Sequence, residues 1–212
     1  DYAYSVVIDR SGNVFVAGET GNSSNFAPSR NVFGTTGGVD VFVSKLSNDL
    51  STHIATAILA SIDNDDAYSV AIDGSGNVFV AGYTENSSNF APSRNVFGTT
   101  GSRDVFVSKL SNDLSTHIAT AILTSSWGDY AYSVVIDRSG NVFVAGETGN
   151  SSNFAPSRNV FGTTGGVDVF VSKLSNDLST HIATAILASI DNDDAYSVAI
   201  DGSGNVFVAG YT

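Results

Sequence analysis

The sequence predicts an all-β fold: an array of four-stranded antiparallel sheets packed on one another. Three observations point there. The phrase AYSVVID or AYSVAID recurs every 64 residues, with Tyr4, Tyr68, Tyr132 and Tyr196 at equivalent places, and an internal period marks an array whose units bury apolar faces against their neighbours. Within each unit, short runs alternate apolar and polar residues, the period of a strand. Clusters of Gly, Asn, Asp and Ser separate the runs, and these are turn residues.

Ala3 to Asp9 places Tyr4, Val6 and Ile8 on one side and Ser5, Val7 and Asp9 on the other. The link Asp9-Arg10-Ser11-Gly12-Asn13 follows. Its Gly can take positive φ and its Asp and Ser can bond nearby amides, so it reads as a tight hairpin into a second strand, NVFVAG from Asn13 to Gly18. Glu19 to Gly38 is rich in Gly, Asn, Ser and Thr and reads as a long loop. Phe26, Pro28, Val32 and Phe33 are apolar enough to tack it over one face, with a binding loop as the alternative. A third strand, DVFVSKL from Asp40 to Leu46, and a fourth, HIATAIL from His53 to Leu59, are joined by Ser47-Asn48-Asp49-Leu50-Ser51. Ala and Leu favour helix, but the run is short for one and its flanking turn residues favour a strand.

The chain divides into units at 1–64, 65–128 and 129–192, with an incomplete unit at 193–212, all in one repeat array. Residues 129–212 reproduce residues 1–84 letter for letter, whereas the first two units differ at eleven of 64 positions. The larger repeat is thus a pair of unlike units, either amplified recently or engineered.

Composition narrows the partners. With 21 acidic against 9 basic residues, the net charge of -12 repels nucleic-acid phosphates and anionic membranes. No cysteine is present, so disulfides and thiolate metal sites are excluded. No apolar run approaches the roughly 18 residues that cross a bilayer.

Strands such as Val14-Phe15-Val16-Ala17 and Val41-Phe42-Val43 are apolar on both faces and need cover on both sides. Radial repetition of twisted sheets supplies it, which predicts a β-propeller of four-stranded blades, about three and a half per chain. A β-solenoid is the alternative, disfavoured because its rungs are usually parallel and roughly 20 to 30 residues long. The phrases DYAYSVVIDRSGNVFVAGET, Asn25-Phe26-Ala27-Pro28 and GGVDVFVSKLSND resemble the bacterial β-propeller repeat family, of the seven-bladed type, over essentially the whole chain. The first hairpin also resembles NHL-type blades. The resemblance implies that AYSVVID lies nearest a central axis, that HIATAIL lies outermost, and that the chain is of extracellular or cell-surface bacterial origin. It also implies a ring of twice as many strands as this chain supplies, so self-association into a homodimer or larger assembly is expected.

Candidate sites recur with the repeat. Asp63, Asp65 and Asp66, repeated as Asp191, Asp193 and Asp194, form the best calcium candidate, since calcium takes several carboxylate oxygens on a flexible loop. A solvated turn is the plainer reading, because the equivalent link between the second and third units is Ser126-Trp127-Gly128-Asp129. Trp127 stands where Asp63 does and is expected to fill a gap at a unit edge. Arg30 with Phe33, Arg94 with Phe97 and Arg158 with Phe161 could offer a ligand surface for a glycan or peptide, or the arginines could clamp the loop internally. His53, His117 and His181 are expected at the surface of outer strands. No nucleophile elbow or distinguished acid pair is present, and no cofactor is implied. The sequence therefore points to a non-enzymatic scaffold or interaction module, with a multivalent glycan binder as the alternative.

Overall fold

Turn chemistry closes the first hairpin. In the computed structural model, which describes residues 1–212, β1 (Tyr2–Ile8) and β2 (Val14–Thr20) pair antiparallel. Asp9 Oδ1 accepts from the amides of Ser11 at 2.9 Å and Asn13 at 2.8 Å, and Gly12 adopts a φ of 85°. The same turn recurs at Asp73, Asp137 and Asp201.

β3 (Arg30–Gly34) lies within the stretch expected to be loop. It is followed by β4 (Asp40–Leu46) and β5 (His53–Ala60), so HIATAIL is a strand. β4 pairs antiparallel with both β2 and β5, while β3 runs parallel to β5, with Val32 opposite Ile58. The sheet is therefore mixed and five-stranded, in the order β1-β2-β4-β5-β3. β3 has no local signal, because a parallel partner must come from a chain segment beyond an intervening strand. Gly34 ends it at a φ of 109°, where a Cβ would meet the Ala60 carbonyl.

The second sheet repeats this with β6 (Asp65–Ile72), β7 (Val78–Thr84), β8 (Arg94–Gly98), β9 (Asp104–Leu110) and β10 (His117–Thr124). The third comprises β11 (Asp129–Ile136), β12 (Val142–Thr148), β13 (Arg158–Gly162), β14 (Asp168–Leu174) and β15 (His181–Ala188). β16 (Asp194–Ile200) and β17 (Val206–Tyr211) form a two-stranded sheet.

The expected propeller of four-stranded blades, with HIATAIL outermost, is corrected by this topology. Each complete unit has five strands, β3, β8 and β13 lie outside the HIATAIL strands, and one pairing per unit is parallel. The units form an open stack whose principal contacts join successive units: β1 and β2 meet β6, β6 and β7 meet β11, and β11 and β12 meet β16. That is solenoid-type organisation. Hairpin signals define strands within a unit but carry no information on how successive units are disposed, which is why the sequence misleads here.

The core lies between the sheets. At the first boundary Phe15, Val41, Val43 and Leu59 meet Val78, Val80, Phe106 and Ile122, all fully buried. The second boundary repeats this with Phe79, Val105, Val107 and Leu123 against Val142, Val144, Phe170 and Ile186. Each such side chain contributes about 1.5–3 kcal/mol by leaving water, so the boundaries are what hold the units together.

Candidate functional site

The segment leading into β3 is built by its own side chains. The amides of Asn25 and Phe26 donate to the Asn22 carbonyl, and Ser23 Oγ donates to Asp40 at 2.6 Å. Ala27 and Ser29 take φ of 53° and 50° on either side of Pro28. Such left-handed backbone is costly for residues with a Cβ and needs support. Phe26 supplies part of it by packing on Phe42, with ring centroids 4.3 Å apart. Arg30 supplies the rest, donating to the carbonyls of Ala27, at 3.3 Å, and Ser24. Arg94 and Arg158 repeat the clamp.

Arg30 and Phe33 do not form one surface. Three residues apart on a strand, they point to opposite faces. Phe33 turns into the first boundary, 5.8 Å from the His117 ring, and Phe97 likewise meets His181 at 5.9 Å. Phe161 has no such partner and is 59% exposed. What the segment does present is the free edge of β3, β8 and β13, on which Val32, Val96 and Val160 stand exposed.

His117 and His181 are not on an open rim. His53 Nε2 lies 2.8 Å from Thr56 Oγ1, which lies 2.7 Å from Ser44 Oγ, and the chain recurs at His117 and His181. Burial lowers the pKa of His117 to about 4 and moves His181 the same way. Their neutral rings are parts of the boundaries. Sequence reasoning missed this chain because Ser44 and Thr56 meet only through the register of β4 with β5.

The acidic cluster diverges. Asp63 accepts from Asn86 Nδ2 at 3.0 Å on the surface, whereas Asp65 is buried and accepts from the Ser61 amide at 2.5 Å and its hydroxyl at 3.0 Å. Asp66 turns to the opposite side of β6, 3.5 Å from the Tyr68 hydroxyl. Asp193 and Asp194 repeat the roles of Asp65 and Asp66, while Asp191 is exposed. No three His, Asp or Glu side chains gather in a geometry that could hold a metal ion. Trp127 is 61% exposed, so its ring fills no gap at a unit edge.

The differences between unlike units meet across the boundaries. Glu19 of the first unit faces Asp66 of the second; a hydrogen bond between the two carboxyls, with burial, pushes Glu19 up to about 7. Burial and Asp194 push Glu147 up to about 8. At the second boundary Tyr83 replaces the glutamate and meets Tyr130 edge-on at 5.0 Å, with Arg103 lying over both rings and bonded to Glu85 and the Tyr130 hydroxyl. Tyr4, Tyr68, Tyr132 and Tyr196 run beside these contacts as a ladder, with centroids 5.2, 5.4 and 5.7 Å apart.

At the hairpin end of the stack, turns from three units surround an open polar cavity of about 640 Å³, with Arg10, Asp73, Asp137, Arg138 and Asn176 in its lining. Behind it Lys109 donates to Asn176 and lies 3.9 Å from Asp73. Burial would raise the Asp73 pKa, but hydrogen bonds from Asn77, Ser75 and Asn176 outweigh it and hold the carboxylate below its usual range.

The Beta-propeller repeat family matches residues 1–27, 57–91, 120–155 and 185–212, more than half of the chain. Each internal match runs from within a HIATAIL strand, β5 or β10, through the link, into the first hairpin of the next unit and on to the segment around Phe90 or Phe154. The name is the family's; here the matched segments sit in the five-stranded stack described above. No curated protein matches the chain.

Proposed function

Because the chain belongs to the Beta-propeller repeat family, we propose that it is a non-enzymatic repeat scaffold that presents an interaction surface, of bacterial cell-surface or secreted origin or engineered from amplified repeats. The observation that carries this reading is where the repeated polar side chains go. Arg30 clamps its own loop, Lys45 crosses to Asn112, and Thr56, the hydroxyl nearest His53, is fully buried where a substrate cannot reach it. What faces outward in every complete unit is a short free strand edge, and a free edge recognises extended peptides by adding a strand.

The polar cavity favours a second reading, a glycan binder. Its arginines, carboxylates and amide suit sugar hydroxyls, and its volume suits a small saccharide. A glycan array probed with the labelled chain separates the two. Silence across the array supports the scaffold; binding that is lost in Arg138→Ala supports the saccharide site. Labelling of intact source cells with an antibody to the chain tests the surface location, and signal only after lysis would reject it.

A further inference from the structure

We propose that the 212-residue chain binds a second copy of itself head to tail, the outward face of β1 on one copy seating on the outward face of β17 on the other. The argument begins from a contact the chain already makes. At the second boundary, the head of the third unit buries Val134 to 3% exposure on Phe79 of the second unit's tail, which is fully buried. The Val134 amide donates to Ser69 Oγ at 3.1 Å, and Tyr130 meets Tyr83.

Both halves of that contact exist again, uncovered. The first unit has the same sequence as the third, and its Val6, equivalent to Val134, is 64% exposed, with Tyr2 at 64%. The incomplete unit repeats the start of the second, and its Phe207, equivalent to Phe79, is 58% exposed, with Tyr211, equivalent to Tyr83, at 52%. Alternation of unlike units matters here: a head bearing Tyr2 matches a tail bearing Tyr211, as Tyr130 matches Tyr83. Seating one copy on the other covers Val6 and Phe207, pairs the two tyrosines, and offers the Val6 amide to Ser197 Oγ. The surfaces are different patches, so the contact is heterologous and each copy has one of each. The pairing goes beyond the scaffold reading and holds whether or not the strand edges or the cavity bind anything else.

The test is sedimentation velocity on the chain, on Val6→Asp and on Phe207→Asp, with circular dichroism to verify that each variant is folded. Both sites are exposed, so the fold tolerates the substitutions. The parent is expected to show mass that rises with concentration, and each variant alone to remain monomeric. A mixture of the two is expected to form a one-to-one dimer and nothing larger, because Val6→Asp keeps its tail and Phe207→Asp keeps its head. A parent that stays monomeric throughout overturns the proposal. So does association that survives in either variant alone, which would mean a head-to-head or tail-to-tail contact, or a mixture that stays monomeric.

Discussion

Lys45 Nζ donates to Asn112 Oδ1 at 2.6 Å and to the Asn112 carbonyl at 3.1 Å, tying the first unit to the second across 67 residues of chain. The same ammonium lies 3.7 Å from Asp9 and 5.0 Å from the centre of the Phe15 ring. Lys109 repeats the contact with Asn176. A buried lysine needs such partners, because desolvating a charge is costly. Lys45→Met keeps the stem's packing and removes the charge, leaving the Asn112 oxygens without this donor and Asp9 without its ion pair. It is expected to lower stability by roughly 1–3 kcal/mol, read as a lower urea midpoint. An unchanged midpoint would show that the tie contributes nothing.

Leu50 and Leu114 offer a matched pair. Both take left-handed backbone, with φ of 59° and 58°, but Leu50 is 63% exposed and Leu114 is fully buried at the first boundary. Left-handed backbone costs a residue with a Cβ roughly 1–2 kcal/mol, part of which glycine returns through its freer unfolded chain. Leu50→Gly is therefore expected to raise the melting temperature slightly. Leu114→Gly removes a packed side chain and is expected to cost about 2–4 kcal/mol. Changes of equal sign would contradict the assignment of Leu114 to the boundary core.

Stability is expected to fall as pH rises from about 6.5 to about 8.5, the range above the ordinary histidine pKa. Glu19 and Glu147 are pushed up to about 7 and about 8 by their carboxyl neighbours and burial, and burial holds Asp65 and Asp129 at about 7. All four bind a proton more tightly folded than unfolded, so their contribution is complete below the ordinary carboxylate pKa and disappears as pH passes the folded values. Glu19→Gln with Glu147→Gln should flatten the decline in melting temperature. A decline as steep as the parent's would place its origin elsewhere.

Chelation is expected to leave the melting temperature unchanged, since Asp63, Asp65 and Asp66 aim at Asn86, Ser61 and the tyrosine ladder. A drop with EDTA that calcium reverses would reinstate the acidic link as a metal site.

Strands and hairpins were legible because their signals are local. Alternation sets β1, Asp9 and Gly12 set its turn, and the flanking polar residues mark HIATAIL as a strand. β3 was not legible, since Arg30 to Gly34 becomes a strand only by lying along β5. The candidate site was legible in part. That Arg30 is a clamp could be suspected, but the opposed faces of Arg30 and Phe33, and the histidine chain through Thr56 and Ser44, depend on pairing register.

Asp65 and Asp193 mark the dividing line. They occupy the same place in identical sequence surroundings, yet Asp65 is pushed up to about 7 by burial, while burial at Asp193 is outweighed by hydrogen bonds from Thr212 and Ser189 beside an open groove, and its pKa falls. By itself the sequence determined the repeat, the strands and the turns, because backbone preference and side-chain alternation act over a few residues. Only the tertiary structure decided the fifth strand, the open stack and the charge of each repeated carboxyl, because those depend on what a neighbouring sheet covers.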